Sequence, residues 1–239
     1  MYGPYLFLIL ILISSVPIIV VYVWFRLAKY QFSQIRFLFT LLTGAAAFFP
    51  ALIMQNLLNF SFHAGGRMQL FYHVFVRVAF TEELSRLLLL FVFFWISSRA
   101  AKDSISQPLS AATIRKAAAT GLVAGLGFAL LENAVYGASN PNVLLLRALT
   151  TAPLHAACGS RIGLAVIFRA NPMQMFVRLL TATAIHGIYN FLAPIPGLPS
   201  IGAVFIALTA LFSSILTIIG GREQTNASQA PEENPQINP

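Results

Sequence analysis

Five ionisable side chains that could do acid–base or metal chemistry sit inside apolar sequence: Glu82, Glu83, Glu132, His155 and His186. Asn190 lies one helical turn beyond His186, and Asn133 directly follows Glu132. The adjacent acids Glu82 and Glu83 interrupt the apolar run 74–98, and Arg86 follows them by four and three residues on the same helix face. A carboxylate near a bilayer centre costs on the order of 2.5–3.5 kcal/mol, so a neighbouring pair there marks a place that is used. Carboxylates and imidazoles in a dry setting can activate water, stabilise an oxyanion, ligate a metal or relay protons.

The elements that must position these groups follow from composition. Hydrophobic residues make up 58% of the chain and charged residues 9%, the profile of an integral membrane protein. The expected fold is all-α: a polytopic bundle of about seven transmembrane helices over 4–25, 37–58, 74–98, 117–138, 148–168, 178–193 and 201–219. Residues 1–219 would form one membrane domain. The tail 220–239, rich in Gln, Asn, Pro and Glu, is expected to be disordered and cytoplasmic. Arg26, Lys29, Arg36, Arg99, Lys102, Arg115, Lys116, Arg169, Arg178 and Arg222 fall in connections on one side, whereas Arg67 and Arg147 fall on the other. That bias places the N-terminus outside and the tail in the cytoplasm. It also accounts for the net charge of +8 without a nucleic-acid partner. The first apolar run lacks a basic start and an Ala-x-Ala site, so it reads as a retained helix. Cys158, the single cysteine, has no intrachain disulfide partner.

Depth and face tie the polar residues together. At 1.5 Å per residue from the outer ends of the spans, Glu82 and Glu83 lie roughly 12–14 Å deep, Glu132 roughly 9 Å, and His155 and His186 roughly 11 Å. One layer in the outer half of the bilayer would hold them all. Gly121, Gly125, Glu132 and Tyr136 share a helix face, as do His155, Gly159 and Gly163, and Ala182, His186 and Asn190. The glycines would admit a close neighbour. His63 and His73, in an outer connection, read as solvated. The lone Asp, Asp103, lies in a loop, which excludes an aspartyl dyad. Ser160 has no flanking Gly-x-Ser-x-Gly and lies deeper than His186. No lysine lies in a span to carry retinal, and Gly125-Leu-Gly127 is not a dinucleotide loop.

Four stretches in this order resemble the PrsW-type intramembrane proteases, distant relatives of the CAAX prenyl endopeptidases. They are Phe80-Thr-Glu-Glu-Leu-Ser-Arg86, Gly125-Leu-Gly-Phe-Ala-Leu-Leu-Glu-Asn133, Arg147-Ala-Leu-Thr-Thr-Ala-Pro-Leu-His155 and His186-Gly-Ile-Tyr-Asn190. The resemblance covers most of 79–191. It implies a membrane-embedded peptidase of a bacterial cytoplasmic membrane, cutting membrane-anchored protein substrates near the extracytoplasmic face. An anti-sigma factor cut first in a signalling cascade is the substrate that the family suggests. Glu82, Glu83, Glu132, His155, His186 and Asn190 are the implied catalytic residues, with Arg86, Asn133 and Tyr136 in support. Glu132 stands where the CAAX relatives have His, and Arg86 where PrsW-like chains are expected to have Lys.

Two mechanisms remain open on the residues. Glu82 or Glu83 could act as base on water, with His186 and Asn190 donating to the tetrahedral intermediate and no cofactor required. Alternatively Glu132, His155 and His186 could hold zinc, although no His-Glu-x-x-His is present. Glu83→Gln is expected to abolish cleavage while the protein still inserts and folds. Alternatives from other classes are a proton or ion transporter built on the same cluster and a non-catalytic membrane scaffold. A transporter needs a polar path to the inner face, where only Arg161, Ser160 and a few threonines are available.

Overall fold

The structure is a computed structural model that describes residues 4–30, 32–60, 66–101, 110–139 and 144–227. His63, Lys102, Asp103 and the end of the tail lie outside the described residues. Every regular element among those described is helical: α1 (Pro4–Leu27), α2 (Gln34–Ala46), α3 (Phe48–Leu57), α4 (Arg67–Phe71), α5 (Thr81–Ala101), α6 (Ala111–Ser139), α7 (Leu144–Ile167), α8 (Pro172–Leu192) and α9 (Leu198–Ala227). A short 3₁₀ turn, Leu58–Phe60, follows α3, and a π-helical stretch, Tyr72–Phe80, joins α4 to α5. These form seven long helical stretches that overlap the seven expected spans.

Three of them, Gln34–Leu57, Ala111–Ala138 and Leu198–Gly220, are long and apolar enough to cross a membrane. Two of the stretches that carry polar-layer residues are diluted by their own charges, Arg77, Glu82, Glu83 and Arg86 on one and Arg147 and Arg161 on another. On α1 and α9 the outward rows Leu8, Leu12, Val16, Ile19 and Ile201, Phe205, Leu208, Phe212 are exposed at helical spacing, the pattern of a lipid-facing surface.

The centre of the bundle is α6, whose Ala117–Ala119, Leu122–Ala124 and Phe128–Ala129 are buried. It packs on α7, α2, α9 and α1. Backbones meet at the glycines: a Cβ on Gly121 would strike the Gly159 carbonyl, and one on Gly125 the His155 carbonyl. In a bilayer, where burying apolar surface gives no advantage over lipid, such close approach is what holds helices together.

The helices depart from the expected spans in informative ways. The second span is broken at Ala47, because Pro50 has no N–H for the Ala46 carbonyl. Ser85 of α5 donates to the Ala47 carbonyl at the break. The sixth helix begins at Pro172, six residues earlier than expected, capped by Asn171, whose side chain accepts from the Gln174 amide at 3.1 Å. Arg178 therefore lies inside α8 and not in a connection. Pro153 is accommodated within α7. At the C-terminal end α9 runs on to Ala227, so the first residues of the expected disordered tail are helical, with Gly220 and Gly221 absorbed in the helix.

Candidate active site

Five elements deliver the polar layer. The first turn of α5 carries Glu82 and Glu83, with Arg86 one turn on; α6 carries Glu132 and Asn133, α7 Arg147 and His155, and α8 His186. From α3 comes Gln55. The π-helical stretch precedes the acid pair, and Thr81 closes it by donating from Oγ1 to the Arg77 and Val78 carbonyls at 2.7 and 3.0 Å. Widened turns of this kind free backbone acceptors and recur at functional positions.

The site is two carboxylate–imidazole pairs set against each other. Glu83 Oε1 holds His186 Nδ1 at 2.8 Å, and Glu132 Oε2 holds His155 Nε2 at 2.6 Å. An ionised carboxylate only accepts, so each pair puts a proton on the bonded nitrogen; in the neutral imidazole the other nitrogen then keeps its lone pair. The two rings stand edge to face, 5.0 Å apart. Each orienting acid has its own arginine: Arg86 pairs with Glu83, and Arg147 Nη2 lies 3.0 Å from Glu132 Oε1. Arg86 is completely buried, donates also to the His155 carbonyl at 3.3 Å, and lies over the Phe128 ring at 4.7 Å.

Glu82 differs from both. Among the described residues no arginine or lysine pairs with its carboxylate. Oε1 accepts from neutral Gln55 Nε2 at 3.1 Å, while Oε2 is buried without a hydrogen-bond partner and lies 3.7 Å from His186 Nε2. His155 Nδ1 is likewise buried and unpartnered. Glu82, His155 and His186 each offer a donor atom, and these lie within 4.8 Å of one another.

The donor chemistry suits a divalent metal of the zinc type: one carboxylate and two imidazoles, each imidazole oriented through its far nitrogen by a further carboxylate. The trio expected from sequence contained Glu132. The structure puts Glu82 in its place, because Glu132 is occupied with His155 and Arg147. Glu82, His155 and His186 are then the residues that would hold a metal.

The remaining expected residues take distinct places. Asn133 is buried, and its Oδ1 accepts from Arg147 Nε at 3.1 Å and from Thr151 Oγ1 at 2.9 Å. Tyr136 is half exposed, and its ring lies under the Arg147 guanidinium at 4.0 Å. Asn190 is partly buried one turn from His186 and makes no side-chain hydrogen bond among the described residues. His73 is exposed as expected, with Nδ1 3.1 Å from Arg77. Sequence reading missed Gln55 and Arg77. Arg77 Nε donates to the Gln55 carbonyl at 2.9 Å, and so fixes the residue that touches Glu82. A glutamine and an arginine inside apolar spans were the available signal.

No curated protein and no solved structure matches the chain. The sequence pattern of the PrsW family intramembrane metalloproteases matches residues 34–217, a stretch that contains every one of these site residues. On that match, the chain belongs to the PrsW family of intramembrane metalloproteases.

Proposed function

We propose that the chain hydrolyses peptide bonds of membrane-anchored proteins at the Glu82–His155–His186 cluster, near the extracytoplasmic face of a bacterial cytoplasmic membrane. The observation that carries this reading is the convergence of three buried donors on one place inside the bundle, two of them, Glu82 Oε2 and His155 Nδ1, without a hydrogen-bond partner and the third on His186. A bound metal would supply Lewis acidity to a water and to the scissile carbonyl. The protein's part is read from its own contacts. Glu82, the one acid of the three that no arginine neutralises, serves the reaction through its open Oε2, as a ligand where a metal is bound and as the base on water where none is. Glu83 and Glu132 orient the imidazoles. Asn190, with its amide uncommitted, donates to the oxyanion beside His186. The surrounding helices exclude bulk water, which strengthens each of these interactions.

The seven-span topology, with the N-terminus outside and the C-terminus in the cytoplasm, belongs to the same proposal. So does a membrane-anchored anti-sigma factor as substrate. What supports the outer-face location is the charge bias of the connections and the shallow position of the cluster on its helices.

The test is cleavage of a single-span membrane substrate by purified wild type, Glu82→Gln and His186→Ala, with and without a strong chelator. Cleavage by wild type that chelator removes and zinc restores is the expected result. Cleavage untouched by chelator would leave Glu82 as a base without metal. Full activity of Glu82→Gln would overturn the role given to it, and proton flux in liposomes without any cleavage would replace the peptidase with a transporter.

A further inference from the structure

A second polar feature lies away from the acid–imidazole layer, where α7, α8 and α9 meet. A pocket of about 450 Å³ is lined by Arg161, Met173, Gln174, Val177, Arg178 and Thr181. Arg161 donates from Nη1 to the Ala157 and Ala210 carbonyls at 2.9 and 3.3 Å and to Ser214 Oγ at 3.1 Å, and from Nη2 to Ser213 Oγ at 3.5 Å. Arg178 rests on the Phe168 ring at 4.4 Å. All these partners are neutral, and among the described residues neither guanidinium has a carboxylate. Two partly buried positive charges that share one pocket, with no carboxylate within ion-pair distance, favour an anion between them.

The kind of anion follows from depth and lining. Arg161 is six residues before the end of α7 and Arg178 six residues after the start of α8, so both stand roughly 9 Å in from the ends of adjacent helices. Met173 and Val177 are exposed beside them, and Phe176 and Leu180 continue the apolar surface outward. A phosphate held between the arginines would therefore have hydrocarbon on its membrane side, the arrangement in which basic pockets between transmembrane helices hold lipid headgroups.

We propose that this pocket binds an anionic phospholipid, with Arg161 and Arg178 gripping its phosphate and Met173 and Val177 lying along its acyl chains. The lipid clamps α7 to α8, the two helices that carry His155 and His186. The inference rests on the chain being membrane-embedded and not on the roles assigned to the acid–imidazole cluster, so either can fail without the other.

Thermal unfolding of the delipidated protein in neutral detergent tests it, with phosphatidylglycerol, phosphatidylcholine or inorganic phosphate added in turn. Phosphatidylglycerol is expected to raise the midpoint saturably, and the other two to leave it unchanged. Arg178→Gln, which removes a side chain with no hydrogen bond to the described protein, should fold and need on the order of tenfold more phosphatidylglycerol. Arg26→Gln, an exposed charge on α1, should respond as wild type does. Equal effects of phosphatidylglycerol and phosphatidylcholine, or an unchanged response in Arg178→Gln, would overturn the proposal. An equal effect of inorganic phosphate would show an anion site without a lipid and overturn it too.

Discussion

The Glu83–His186–Arg86 triplet and the Glu132–His155–Arg147 triplet use the same three residue types, yet one is sealed and the other reaches the protein surface through its arginine. Glu83 and Arg86 side chains are both 0% exposed, and their pairing is local to α5 at i, i+3. Glu132 and Arg147 side chains are 9% and 20% exposed, and they join α6 to α7. In the sealed triplet neither charge can be relieved by water, so its integrity and the fold's are the same thing. In the second triplet Arg147, at 20% exposure, can turn outward when it loses its partner. That arginine, stacked on half-exposed Tyr136, marks the side from which the cluster can be reached. The lesson is that two carboxylates with matching roles toward an imidazole need not matter equally to stability.

Glu82 stands outside both triplets and gives the largest expected effect. Glu82→Gln should lower cleavage about 10³-fold with little change in unfolding midpoint, because it removes the open carboxylate of the cluster and leaves no buried arginine unpaired. Purified-protein cleavage and thermal unfolding, measured together, check both halves. Glu83→Gln comes next: loss of the orienting carboxylate should cost about 10–100-fold in activity, and stranding buried Arg86 about 3–5 kcal/mol in stability. The abolished cleavage expected from sequence then becomes a joint loss of function and fold. In Glu132→Gln the activity loss should be similar, but destabilisation should stay near 1 kcal/mol or below, since Arg147 reaches water. Equal destabilisation by the two glutamine variants would erase the distinction drawn here. The smallest effect is Tyr136→Ala, where loss of the ring under Arg147 should cost about 0.5–1 kcal/mol, visible in the same unfolding assay.

Much of this site was legible in the sequence because membrane burial makes each acid conspicuous. Glu82, Glu83, Glu132, His155 and His186 stand out against apolar neighbours, and counting rises along four helices put them in one layer before any contact was known. Which acid faces which imidazole was not legible. Partner choice depends on helix rotation and crossing, so Glu132 was grouped with both histidines although it is tied to one of them and to Arg147. Gln55 escaped notice because it has no charge to advertise it, and it lies on α3, beyond a break set by Pro50. The start of α8 was misplaced because Arg178 looked like loop, whereas a long arginine can extend its charge toward the interface from within a helix. The supporting roles split in a similar way: Asn133 holds Arg147 from the inside, Tyr136 from the outside.

The π-helical stretch Tyr72–Phe80 has a consequence for distance. Rings closed by i→i+5 bonds hold more residues per turn, so the chain gains less height per residue there than along an α-helix. A count at the α-helical rise places Glu82 and Glu83 several ångströms deeper than Glu132, yet through the two imidazoles they share one cluster. The slow climb brings the acid pair up to the level of its partners. It acts as a spacer that sets the level at which Glu82 and Glu83 face the two imidazoles.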